Sequence, residues 1–220
     1  MIRTTHWLDT LEGPAPDLVA AFRGIEAGAF IAVRREVRRR GGAGSTERLV
    51  PQLAAVADAL VAMIDALPDA AFQAPGEEED WTVAEAIGHD ADARGGLAMA
   101  GALAASGRWP EDAGPVIPSV PGERGVGRDD LRRRMVMSQK LIARSARSIT
   151  GHETDPCPLE HPLVGKLRCG EWLVFAGVHD LMHVEQLHKI AAAFGVEGRG
   201  AADRGASGGG APGGQDASLP

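Results

Sequence analysis

Apolar residues recur at intervals of three and four along five stretches of the chain, the spacing of helices with one buried face. The first stretch, Asp17 to Arg40, carries Leu18, Phe22, Ile25, Ala29, Val33 and Val37 and ends in Gly41-Gly42-Ala43-Gly44-Ser45. It reads as one helix ahead of the main domain. The second runs from about Thr46 to Leu67, with Leu49, Leu53, Val56, Leu60, Met63, Ile64 and Leu67 turned inward. Pro51 is tolerated there only because it falls in the first turns, and Pro68 helps to stop the helix. After the acidic loop Gly76-Glu77-Glu78-Glu79-Asp80, a third helix opens at Trp81-Thr82, with Thr82 and Glu85 in capping-box relation. It carries His89 and ends near Ser106-Gly107. Pro110 to Gly127 is rich in Pro and Gly and reads as a long irregular connection. A fourth helix spans about Asp129 to Ile149, with Leu131, Met135, Ser138, Leu141, Ile142 and Ile149 on or near one side. Gly151 to Gly170 reads as a loop. The fifth stretch, Trp172 to Phe194, has Leu173, Ala176, Val178, Met182, Leu187, Ile190 and Phe194 on a wide apolar arc, and Gly195 stands where a helix stops. It reads as a long, mostly buried helix around which the rest of the chain is organised.

No segment alternates apolar and polar residues over strand length, so the expected architecture is all-α: a four-helix bundle with long crossover loops over residues 46–195. Residues 1–45 form an N-terminal extension with one extra helix. Residues 196–220 collapse to Gly, Ala, Asp, Ser and Pro; this Gly-rich tail has almost nothing to bury and is expected to be disordered. A length of 220 residues suits one domain with extensions. The net charge of -7 argues against nucleic acid as a partner, which needs a basic face. The run Arg34, Arg35, Arg38, Arg39, Arg40 reads as a solvated helix end, because cations favour the last turn and Gly41 follows. Two cysteines give no disulfide framework, the first residues lack the apolar run of a signal peptide, and no stretch of 18 uninterrupted apolar residues crosses a membrane. A soluble cytoplasmic protein is expected.

The chemistry concentrates on the last helix. His179 and His183 lie one turn apart, about 5–6 Å between Cβ atoms, and Gln186 falls on the same face. Two imidazoles so placed can grip one divalent metal, and they can equally be a packed pair with no ligand. If the third helix brings His89 against them, three neutral nitrogens make the donor set of a zinc-type site that keeps one position open. Glu85 lies one turn before His89 and Asp92 three residues after it, so either can orient that imidazole or stand beside the open position, and Gln186 can do so from the other helix. Glu85 and Gln186 are therefore the catalytic candidates. Arg94 and Arg168 are candidates to receive an anionic cofactor.

Competing motifs weigh less. His179-Asp180-Leu181-Met182-His183 has the spacing of a metalloprotease helix but Asp180 where the general-base Glu belongs. His183-Val184-Glu185 opens like a deaminase motif, yet no Pro-Cys-x-x-Cys follows. Cys157 is a loop residue. Cys169 precedes a helix N-terminus, where a thiolate is favoured. His188 turns to another face of its helix and is excluded as a ligand, and His6 and His152 read as surface residues.

Two motifs together resemble the DinB/YfiT-like superfamily of metal-binding four-helix proteins. One is Trp81, Thr82, Glu85 and His89; the other is His161-Pro162, Gly165, Glu171-Trp172, His179, His183 and Gln186, in the same order and with fitting separation. The resemblance covers about residues 46 to 195 and implies a metal triad of His89, His179 and His183, with zinc or nickel as the metal and a possible homodimer. It also implies chemistry with a low-molecular-weight thiol. Characterised relatives include a mycothiol-dependent maleylpyruvate isomerase and transferases that attach bacillithiol or a similar thiol to electrophiles. The expected function is thus a thiol-dependent transferase or isomerase acting on a small-molecule substrate. The alternative is a non-catalytic, metal-stabilised stress-response or binding module in which the three histidines staple two helices.

Overall fold

The computed structural model describes residues 6–26, 30–76, 80–113, 120–162 and 164–196, and everything that follows concerns those residues. Two helices, α4 (Val83–Ala105) and α6 (Cys169–Ala193), carry apolar residues on every side over most of their length, which only a position inside the molecule can satisfy. They lie against each other and run antiparallel: Gly101 meets Cys169 at one end, Arg94 reaches Asp180 in the middle, and His89 faces His183 at the other. Two more helices, α3 (Ser45–Ala66) and α5 (Arg128–Ile149), complete the bundle, α3 packing on α5 and α6, and α5 also on α4. Each of these outer helices keeps one polar face. Leu49, Leu53, Val56, Leu60 and Ile64 turn inward from α3, and Leu131, Met135, Ile142 and Ile149 from α5. The four-helix bundle is therefore as the spacing predicts. By length and composition alone α3 can cross a membrane, but its leucine face is buried inside the bundle and it serves as a core helix.

Helix ends follow their local chemistry. Thr82 caps α4 as expected: the Glu85 amide donates to Thr82 Oγ1 at 3.2 Å, and the Thr82 amide donates back to Glu85 Oε2 at 2.8 Å. At α6 the Arg168 amide donates to Glu171 Oε2 at 2.8 Å and its guanidinium reaches Glu171 Oε1 at 2.6 Å. That cap starts the helix at Cys169, three residues before the apolar arc begins.

The structure departs from the sequence reading in three places. Two helices, α1 (Pro16–Glu26) and α2 (Phe30–Arg40), stand where the spacing predicts one. A single helix from Asp17 to Arg40 would be about 36 Å long and could lay only part of its apolar face on the bundle. As two helices packed on each other, both reach α6, burying Leu18, Val19 and Phe22 from one and Val33 and Val37 from the other in the common core. A 3-10 turn, Trp7–Leu11, adds Leu8 and Leu11 to that core. The second departure is a small antiparallel hairpin, β1 (Pro156–His161) with β2 (Gly165–Arg168), inside the stretch read as a loop. Strands of six and four residues, one beginning Pro156-Cys157-Pro158, are too short and proline-rich to show alternation. Cys157 is accordingly a buried strand residue, and β1 packs on α4 while β2 packs on α6. Third, Met182 and Phe194 lie on the apolar arc yet are 41% and 40% exposed, because the bundle encloses α6 fully only over its first half. The Gly-rich tail after Val196 lies outside the described residues.

Candidate metal centre

The antiparallel contact of α4 and α6 brings His89 to His179 and His183. One nitrogen from each lies within 4.8 Å of the other two, and the ring centroids are 5.3 Å (His89 to His179), 5.6 Å (His89 to His183) and 4.7 Å (His179 to His183) apart. Each imidazole is held by its own acceptor. Nδ1 of His89 bonds the Val120 carbonyl at 2.8 Å, Nδ1 of His179 bonds Asp90 Oδ1 at 3.2 Å, and Nδ1 of His183 bonds Gln186 Oε1 at 2.9 Å. With all three acceptors on Nδ1, the proton sits there and Nε2 is the lone-pair nitrogen left on each ring. The three come from three different sources: a loop carbonyl, a carboxylate on α4 and an amide on α6 itself. All three rings are half-buried, so the cluster meets solvent. Burial lowers the His89 pKa below its ordinary value, outweighing the Val120 bond, and keeps that imidazole neutral.

Behind His179 lies a buried polar knot that the sequence reading did not include. Asp90, Asp180 and Arg94 are all completely buried. Arg94 donates from Nε to Asp180 Oδ2 at 2.9 Å, from its terminal nitrogens to Ser138 Oγ at 2.9 Å and Gln139 Oε1 at 3.0 Å, and more weakly to the Leu53 carbonyl. Burial, with the nearby Asp90 charge, pushes Asp180 up to about 8 against the pull of Arg94. Burial also acts upward on Asp90, but His183, His179 and Arg94 outweigh it and hold that carboxyl below its ordinary value. Asp90 Oδ2 and Asp180 Oδ1 have no hydrogen-bond partner among the described residues.

The remaining candidates sort clearly. Glu85 does not orient His89: its carboxylate closes the α4 cap and takes Arg124 Nε at 3.1 Å, and the Thr82 bonds chiefly lower its pKa. Asp92 is exposed, with Arg134 3.9 Å away, and it also leaves His89 to Val120. Gln186 does orient an imidazole, that of His183. Arg94 is sealed in the core and cannot receive an anionic cofactor. Arg168 is committed to the α6 cap, about 16 Å along the helix from His179. Cys169 is likewise far from the triad, buried among backbone, and burial first, with Cys157 and Asp155, pushes its thiol up to about 11. The helix N-terminus does not win there. His188 is turned away and stacks on Trp7 at 5.5 Å, while His6 and His152 are exposed, His152 bonding Asp155 at 2.8 Å.

The rim of the cluster is apolar. The Trp81 ring lies 5.1 Å from that of His89, and Val120 and Met182, each next to or bonded to a triad residue, are exposed. Asp90 and Val120 escaped the sequence reading for different reasons. Asp90 is offset 100° from His89 on its helix, and a backbone carbonyl leaves no mark in a sequence.

No curated protein and no solved structure matches the chain. The family model of the DinB superfamily does, over residues 52–187, a span that contains all three histidines and Gln186. Together with the helical bundle, that match identifies the chain as a member of the DinB superfamily.

Proposed function

We propose that the chain binds one divalent metal, zinc or nickel, through Nε2 of His89, His179 and His183, and that it transfers or isomerises small electrophiles with an external thiol. The observation that carries the metal reading is the set of three Nδ1 acceptors. Partners of this kind fix the tautomer and aim of metal-bound imidazoles, and here they act on three rings whose nitrogens converge within 4.8 Å. Three neutral nitrogens suit zinc or nickel better than calcium or magnesium, and DinB proteins are generally metal-binding. A metal bound there would lower the pKa of a thiol on its open position and favour the thiolate.

The chain's own residues supply the rest. Val120, Asp90 and Gln186 hold the imidazoles, and the Trp81 ring shields one side from water. Both cysteines are buried away from the triad, so the sulfur nucleophile is brought in as a cofactor, mycothiol or bacillithiol in kind. The test loads the protein with cobalt(II) and adds 2-mercaptoethanol, then follows conjugation of 1-chloro-2,4-dinitrobenzene with mycothiol and bacillithiol. A sulfur-to-cobalt absorption band and thiol-dependent turnover are expected. Metal uptake without either result would leave the metal-stapled binding module as the function, and no uptake would remove the metal reading.

A further inference from the structure

Helix α2 falls outside the residues that match the DinB model, and it meets strand β2 at two points. At the first, Nη1, Cζ and Nη2 of Arg34 lie 3.5, 3.6 and 3.6 Å from where a Cβ on Gly165 would stand. Three distances so nearly equal place the guanidinium face-on over that point, with its N–H groups directed along the surface. At the second, Arg168 Nη2 donates to the Arg38 carbonyl at 3.3 Å, while Arg168 Nε is held by Glu171 at 2.6 Å. Two guanidinia are thus fixed where helix and hairpin join.

More cations gather around them. Arg34, Arg35, Arg38 and Arg39 are exposed on α2, Lys166 is exposed on β2, and Arg168 follows two residues on, on the same side of the strand. The hairpin, α2 and the α6 cap carry three carboxylates, Glu36, Glu160 and Glu171. Glu36 pairs with Arg39 at 2.9 Å and Arg40 at 2.6 Å, and Glu171 is taken by Arg168. Arg34 and Arg38 form no ion pair among the described residues. A chain of net charge -7 therefore keeps a local excess of positive charge on this face.

We infer that the face shared by α2 and β2 binds a small ligand carrying two or more phosphoryl groups. Arg34 and Arg38 stand one helical turn apart, about 6 Å, and Lys166 and Arg168 roughly 7 Å apart along the strand. A phosphoryl group brings up to two charges and three acceptor oxygens, enough to take the forks of two guanidinia, and a carboxylate brings less of both. The extent of the face selects a small ligand. Charges are screened beyond about 8 Å at physiological salt, so a larger polyanion meets the acidic remainder of the chain as well as the arginines. The inference is independent of the metal reading.

The test is calorimetric titration of the full chain with pyrophosphate at physiological salt. Native protein should bind about one pyrophosphate per chain. Arg34→Gln and Arg38→Gln should each weaken binding about tenfold, the worth of one charge-assisted hydrogen bond, and Arg34→Lys should weaken it less than Arg34→Gln. Arg144→Gln, which removes the same charge from an exposed position on α5, should bind as the native protein does, and so should His89→Ala. No binding by the native protein, or equal affinity in Arg34→Gln, would overturn the inference. An equal loss in Arg144→Gln would overturn it too, since overall charge and not this face would then matter, and a loss in His89→Ala would move the anion to the triad. Phosphatidylserine vesicles or a single-stranded oligonucleotide, if bound in a way that Arg34→Gln abolishes, would overturn the choice of a small ligand.

Discussion

The two halves of α6 are built on opposite rules. From Cys169 to Val178 every residue is buried, and at Gly170 and Gly177 the backbone comes so close to its neighbours that no side chain fits. A Cβ on Gly170 would lie 2.5 Å from the Gly41 carbonyl oxygen, and one on Gly177 would lie 2.6 Å from Leu18. From His179 to His188 the helix instead presents imidazoles, each with a named partner and a share of solvent. The first half fixes where the helix is; the second places nitrogens to about the precision of a hydrogen bond. The lesson is that a site of three side chains on two helices needs a rigid joint elsewhere on those helices. Gly101 of α4 against the Cys169 carbonyl, at 2.6 Å from a would-be Cβ, joins the same two helices that carry the triad.

If the first half is as closed as this, its one thiol, Cys169, is unreactive, as is the buried Cys157 of β1. With Cys169 pushed up to about 11, its thiolate fraction at pH 8 is roughly a hundredfold below that of a free cysteine, and access is blocked besides. Iodoacetamide should leave both cysteines of the native protein unmodified on a timescale that labels the denatured chain completely, as read by mass spectrometry. Rapid labelling of Cys169 in the native state would show that the joint opens. Next in size, Gln186→Leu removes the acceptor of His183 while keeping bulk, and should weaken zinc affinity about 10–100-fold with little change in the melting temperature of the metal-free protein. An unchanged affinity would make Gln186 a packing residue.

Gly170→Ala is the converse. It should cost about 1–3 kcal/mol, some 2–9 °C in melting temperature, and leave zinc stoichiometry intact below the transition. Loss of zinc without loss of stability would reverse the roles given to the two halves. The smallest effect concerns the last histidine. Burial first, and then His6, hold His188 below the ordinary 6.5, so the folded state prefers the neutral ring. Its contribution is complete above about pH 6.5 and is lost as the pH falls through the lower folded value. The melting temperature should drop on acidification from pH 7 to pH 5, and less steeply in His188→Phe; an identical slope would remove the Trp7 stack from the account.

The helices were legible in the sequence because burial imposes a period, and the bundle follows from four such stretches and the loops between them. His179 and His183 were legible as a pair for the same reason, and the α4 cap because Thr82 and Glu85 act over three residues. What escaped depends on approach between segments distant in the chain. The Val120 carbonyl that holds His89, the upward push on the Asp180 pKa and the burial of Arg94 are decided by which elements meet. Residue type misleads there: Arg94 reads as an anion receptor until four acceptors close around it. Cys169 reads as an activated thiol until burial is counted. The break between α1 and α2 falls within a run of helical spacing that one helix would satisfy equally well, and only the core onto which both helices pack decides otherwise.

The central claim is that α4 and α6 share one metal. Elemental analysis of protein purified without an affinity tag, native and His89→Ala in parallel and with helix content checked by circular dichroism, tests it most directly. About one zinc or nickel per chain in the native protein, and almost none in a variant of unchanged helicity, is the predicted result. Stoichiometric metal in His89→Ala, or none in the native protein after zinc and nickel are offered, would contradict it.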